Sequence, residues 1–169
     1  HCRTNGINLT MRIGESHFTS SDYNGNWMKF YLTVLRSMFE IPATERLGLL
    51  EDLEFAYEVN TSVQTMTWDE IVDCAANGIE IGSHTYSHDV LTDNSDEMIL
   101  EHEIIRSKWE IERRTNRSVS VMALPNGQGG IKINEFVENA GYKFLLYVND
   151  GINEFSPIGE GLCVFDRIN

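Results

Sequence analysis

Short apolar runs alternate with longer amphipathic ones through most of this chain, and that alternation limits the fold more than any other feature. The runs "IEIGS" (79–83), "VSVMAL" (119–124), "KFLLYV" (143–148) and "LCVF" (162–165) are β-prone. Helical signals lie between them. "TWDEIVDCAANG" opens on Thr67 with Glu70 three residues on, a capping-box pattern, and stops at Gly78. "SDEMILEHEIIRSKWEIERRT" (95–115) offers Ser95 as N-cap, acids in its first turn and basic residues in its last. "INEFVENAG" ends at Gly141. Upstream, "INLTMRI" (7–13) alternates as a strand and "HFTSSDYNGN" reads as a loop. Trp27, Phe30, Tyr31, Val34, Leu35 and Met38 then share one helical face. Residues 45–60 are apolar and acidic without a clear period. The alternation predicts an α/β fold with a parallel sheet, either a barrel or doubly wound.

In both arrangements ligands bind beyond the carboxyl ends of the strands. Four polar clusters follow predicted strands: Gly14-Glu15, His84 with His88, Pro125-Asn126-Gly127, and Asn149-Asp150. They are expected on one rim. A chain of 169 residues suits one domain over 1–169, and its opening "HCRTNGIN" reads as the interior of a longer protein, so other domains of the same chain are expected. A net charge of −13 argues against nucleic acid and anionic membrane surfaces as partners. No apolar run approaches the length of a membrane span. Cys2, Cys74 and Cys163 are far apart and odd in number, so they define no disulfide framework.

The stretch "GIEIGSHTYSH" carries the clearest chemistry. Histidines at i and i+4 lie on one side of a helical turn, where both imidazoles can reach one ion, and zinc suits neutral imidazole nitrogen. A third ligand, usually a carboxylate, has to come from elsewhere. The same spacing also arises by chance in polar turns. His17 and Asp22 follow the first strand and read as either a replacement ligand or base, or as solvated loop residues. Trp68 and Trp109 are expected in the core, and the acidic runs "LLEDLEFAYE" and "EMILEHE" on solvated helix faces.

"MTWDEIVDCAANGIEIGSHTYSH" resembles the second motif region of the polysaccharide deacetylases, carbohydrate esterase family four, at Trp68, Gly78, Glu80, Ile81, Gly82, Ser83, His84, Thr85 and His88. "VMALPNGQGGIKINEFVENAGYKFLLYVNDGIN" is similar to the next region of one branch, and "LCVFDRIN" to its closing strand. The resemblance covers roughly residues 67 to 169. It implies an irregular (β/α) barrel and a hydrolase that removes N- or O-acetyl groups from a polysaccharide. It also implies a divalent metal, zinc first, held by a carboxylate and two histidines, here Glu15, His84 and His88. A second carboxylate serves the family as base, and backbone N–H groups stabilise the oxyanion. Asn126 is the candidate for that N–H. Asp150 is a candidate catalytic residue that also reads as a turn residue before Gly151. Arg167 stands in for the arginine that orients the base. An acetylated polysaccharide is the implied partner, and the extracellular space, cell envelope or a virion surface the implied location.

The family's T-F-D-D-G motif after the first strand has no counterpart here. "LTMRIGES" takes its place, with Gly14 where the base stands and Glu15 at the metal ligand. No histidine follows His102, so the family's general acid has no match, and Ala123-Leu124 precede Pro125 where an arginine is usual. Two readings follow: an active deacetylase, or a degenerate relative that binds a glycan or supports a larger assembly. Losing acid–base assistance typically costs on the order of 10²–10⁴ in rate, so the distinction is large.

Overall fold

A computed structural model describes residues 8–57, 64–148 and 161–167, which divide between two compact units, His1–Val63 and Gln64–Asn169. The first unit opens with a hairpin. Thr10–Ile13 (β1) pairs antiparallel with Ser16–Thr19 (β2), with Met11 opposite Phe18 and Ile13 opposite Ser16. Gly14 and Glu15 form the two-residue turn, and Gly14 takes the left-handed backbone (φ +56°) that such a turn needs. This corrects the reading of 17–19 as loop. Gly14 reverses the chain at once, and Phe18 then lands on the same apolar face as Met11 and Ile13. The predicted strand is also shorter than expected, Thr10–Ile13, and its first residue lies outside the described residues.

Helix α1 (Trp27–Met38) follows, its first turn capped by the Asn26 side chain, which accepts from the Lys29 amide at 3.0 Å. Phe30 and Val34 carry its buried face, packing with Ile13 and Phe18. Tyr31 lies at the edge of the expected stripe and is exposed. Helix α2 (Ala43–Tyr57) occupies the segment that showed no period. Its apolar residues are correspondingly dispersed, and Leu47, Leu50 and Phe55 are exposed.

In the second unit, α3 (Trp68–Ala76) has both halves of the predicted capping box. Glu70 N–H donates to Thr67 Oγ1, and the Thr67 amide donates to Glu70 Oε2 at 2.7 Å. Gly78 (φ +88°) follows the helix end as expected. Helix α4 is α-helical over Glu97–Leu100, π-helical over Glu101–Arg106 and α-helical again over Ser107–Thr115. Its N-cap is Asp96; the Ser95 side chain instead accepts from the Thr92 amide, so the expected Ser95 cap is corrected by one residue. Helix α5 (Ile131–Asn139) takes its cap from a distance: Asp93 Oδ1 accepts the amide of Lys132 at 3.1 Å.

Strands β3 (Val121–Ala123), β4 (Phe144–Val148) and β5 (Cys163–Arg167) form a parallel sheet in that order. "IEIGS", expected as a strand, reaches this sheet only through Ser83. Its N–H donates to Val121 O and its carbonyl accepts from Ala123 N, a single parallel bridge opposite Met122. Leu100, Ile104, Met122, Ile133, Val137 and Leu145 form the core between helices and sheet. Among the described residues no sheet closes on itself, and no helix is long and apolar enough to cross a membrane. Trp109 is corrected from core to surface: it is 56% exposed, with the Arg113 guanidinium over its ring.

Candidate metal-binding turn

Strands that run parallel end on the same side of their sheet, so two of the predicted clusters share one edge of the second unit. His84 follows Ser83 directly. Pro125–Gly127 follows β3 as a short 3₁₀ turn. Within this turn Asn126 is exposed and left-handed (φ 54°), between buried Pro125 and Gly127. A Cβ on Gly127 would lie 2.2 Å from both the backbone N and the Cβ of Val148, so glycine lets the turn lie against the end of β4.

His84 and His88 are neighbours, with ring centroids 4.9 Å apart and planes crossing at 79°. The expected helical turn is not what joins them. Residues 84–88 are irregular, with Thr85 at φ 67° and His88 at φ 62°. Left-handed backbone at a β-branched residue costs roughly 1–3 kcal/mol and persists only where surrounding contacts enforce it. The hydroxyl oxygen of Thr85 is also buried with no hydrogen-bond partner among the described residues. The turn is therefore held rather than relaxed.

Two contacts define the turn. At one end, His84 Nδ1 lies 2.8 Å from the carbonyl oxygen of Ala123. A carbonyl can only accept, so the proton sits on Nδ1 and the neutral ring keeps its lone pair on Nε2. Backbone carbonyls orient metal-binding imidazoles in this way. In the middle, Glu103 Oε2 accepts the backbone amides of Tyr86 (3.0 Å) and Ser87 (2.9 Å), while Oε1 accepts the Ser87 hydroxyl (2.6 Å). Glu103 is 2% exposed. Burial pushes its pKa up, but the hydrogen bonds from Ser87 and His102 outweigh that and leave it lowered.

The donor chemistry of this pair fits two positions of a zinc-like ion. Among the described residues no group of three His, Cys, Asp or Glu is gathered that could hold a metal. Glu15 lies in the hairpin turn of the first unit, exposed, with Gly14 beside it. His17 is in β2 and Asp22 in the short helix Ser20–Tyr23, both exposed. Asp150 lies outside the described residues. Arg167 ends β5, and its side chain lies outside them too. A cavity of about 570 Å³ adjoins the turn, with Thr85, Tyr86, Trp68, Ile81, Ser107 and Arg114 in its wall.

Glu103 was not legible as a functional candidate. It sits in "EMILEHE", which reads as a solvated face, and its burial corrects that reading. The available signal was spacing: it lies three residues after Leu100 and four before Ser107, both buried.

The model of the polysaccharide deacetylase family matches residues 51–145, more than half of the chain. The chain belongs to the polysaccharide deacetylase family. The match includes α3, the histidine turn, α4, β3 and α5. Two solved structures share the fold: a Bacillus cereus polysaccharide deacetylase (23% identity, TM-score 0.52, 64% of this chain covered) and a Bacillus anthracis protein assigned to the same family (23% identity, TM-score 0.52, 63% covered). The chain spans about a third of the length of these two relatives, at 33% of each. No curated protein matches it.

Proposed function

We propose that this polysaccharide deacetylase relative is a metal-dependent hydrolase that removes N- or O-acetyl groups from a polysaccharide. The observation that carries the reading is the His84 contact with Ala123, which commits Nδ1–H to a carbonyl and leaves Nε2 available as a ligand. His84 and His88 would hold the ion, with Glu15 as the proposed carboxylate ligand. A bound divalent ion supplies Lewis acidity toward an acetyl carbonyl and its attacking water. The chain's own groups do the rest. Exposed Asn126 offers its backbone N–H toward the developing oxyanion, and Asp150 and Arg167 are the proposed proton-handling and orienting residues. An acetylated polysaccharide is the proposed substrate, outside the cell, in its envelope or on a virion surface. We further propose that residues 1–169 form one irregular (β/α) barrel domain of a longer protein.

The test is acetate release from a panel of N- and O-acetylated glycans, with zinc added and after chelation, for the wild type and for His84→Ala with His88→Ala. Zinc-dependent release abolished by the double substitution is expected. Stoichiometric zinc binding without acetate release from any glycan would sink the catalytic part and leave a glycan-binding or structural domain.

A further inference from the structure

A buried carboxylate needs compensation by donors, and those of Glu103 are unusual in where they come from. Three of its hydrogen bonds come from two consecutive residues, Tyr86 and Ser87, that lie between the two histidines. These are the residues flanked by left-handed Thr85 and His88. Hydrogen bonds to an ionised acceptor are about twice as strong as neutral ones, so they are suited to enforcing a backbone that would otherwise relax. The π-helical stretch Glu101–Arg106 carries Glu103, and such widened turns are frequent at functional sites. The same carboxylate faces His102 Nδ1 at 3.1 Å. The His102 ring packs edge-on against Tyr86, 4.5 Å between centroids, and the Arg106 guanidinium lies over the Tyr86 ring, 5.0 Å from its centroid. The middle of the turn is thus fastened to α4 by both backbone and side chains.

We propose that Glu103 is a positioning residue of the metal turn, whose carboxylate fixes Tyr86 and Ser87 so that His84 and His88 are presented as one ligand pair. Glu103 acts through the backbone of the turn and touches no reacting atom. The inference rests on the metal-binding reading of the pair, but its geometric half stands apart from it.

The experiment has two arms on wild type, Glu103→Gln and Ser87→Ala. The first is the nuclear Overhauser effect between the His84 and His88 rings without metal, together with amide exchange at Tyr86 and Ser87. In Glu103→Gln the effect between the rings weakens and both amides exchange faster, while far-ultraviolet circular dichroism stays that of a folded protein. The second arm is titration with Co²⁺ alone, followed by its visible absorption. Glu103→Gln lowers affinity about 10- to 100-fold, the range typical for partners that orient ligands, and changes the band shape. Ser87→Ala, which removes one of the three bonds, falls between the two. Should Glu103→Gln not fold, Ser87→Ala alone decides in the same direction. Variants with the wild-type ring proximity, exchange and Co²⁺ spectrum overturn the proposal. If the wild type binds no Co²⁺ while Glu103→Gln still separates the two rings, the metal reading is overturned and the positioning role stands.

Discussion

His84 donates its Nδ1 proton to the carbonyl oxygen of Ala123, 39 residues further along the chain and at the end of the neighbouring strand. The tautomer of a proposed ligand is thereby set by the backbone of β3, which no side-chain substitution removes. His84→Ala is expected to lower zinc affinity by more than the ~10–100-fold that loss of an orienting partner costs. Calorimetric titration of zinc into wild type and variant measures this, and equal affinities would remove His84 from the ligand set.

Acid should loosen the same turn from the other side. The folded-state pKa of Glu103 is depressed, so its contribution to stability is present above the ordinary glutamate range and is lost as pH falls through the lowered folded value. Urea unfolding between about pH 3 and 7 is expected to show a stability gap between wild type and Glu103→Gln that is widest near neutrality and narrows toward acid. A gap that is constant with pH would mean the carboxylate's charge is not what matters.

Gly127→Ala should be severe. The added methyl meets Val148 at 2.2 Å, at a position whose φ of +61° already disfavours an L side chain. A loss of ~1–3 kcal/mol or more is expected from crowding and backbone strain together. Urea denaturation gives the magnitude, and a variant as stable as wild type would mean that the Pro125–Gly127 turn is free to move off β4.

A coupled pair is expected at the start of α5. Gly130 adopts an ordinary extended φ of −176°, yet a Cβ there would lie 2.3 Å from Asp93 Oδ2. Gly130→Ala is expected to cost ~1–3 kcal/mol by crowding, and Asp93→Ala ~1 kcal/mol by loss of the cap. The double variant should lose less than the sum, because alanine at 93 vacates the space that alanine at 130 needs. Additive losses in a double-mutant cycle would show that the two residues do not share that space.

Local signals in the sequence were reliable where a few neighbouring residues decide the outcome. Thr67 and Glu70 cap α3 through contacts three residues apart, and Gly78 and Gly141 end helices through their own backbone freedom. The order β3, α5, β4, β5 was legible for the same reason. What the sequence did not disclose depends on partners distant along the chain. "IEIGS" is β-prone throughout, but only Ser83 meets β3, which is itself three residues long. Gly14 looked like a strand end and is the pivot of a hairpin, because Phe18 finds Met11 across the turn. The histidine spacing was visible, but not the irregular backbone that brings the rings together. That backbone depends on Glu103, 16 and 17 residues beyond the amides it holds, in an acidic run that composition alone assigns to water.

The π-helical stretch of α4 also marks where this chain can change length. A widened turn takes in about one residue more than an ordinary one, so deleting one residue from Glu101–Arg106 would regularise the coil and leave the helix before it nearly in phase with the helix after it. Leu100 and Ser107 are both buried, one before and one after the widened turn. Both could then keep their places, and the change would fall on the residues of the turn itself, Glu103 among them. The surplus residue thus acts as a phase shim: it absorbs a one-residue difference in length within the helix and spares the faces on either side.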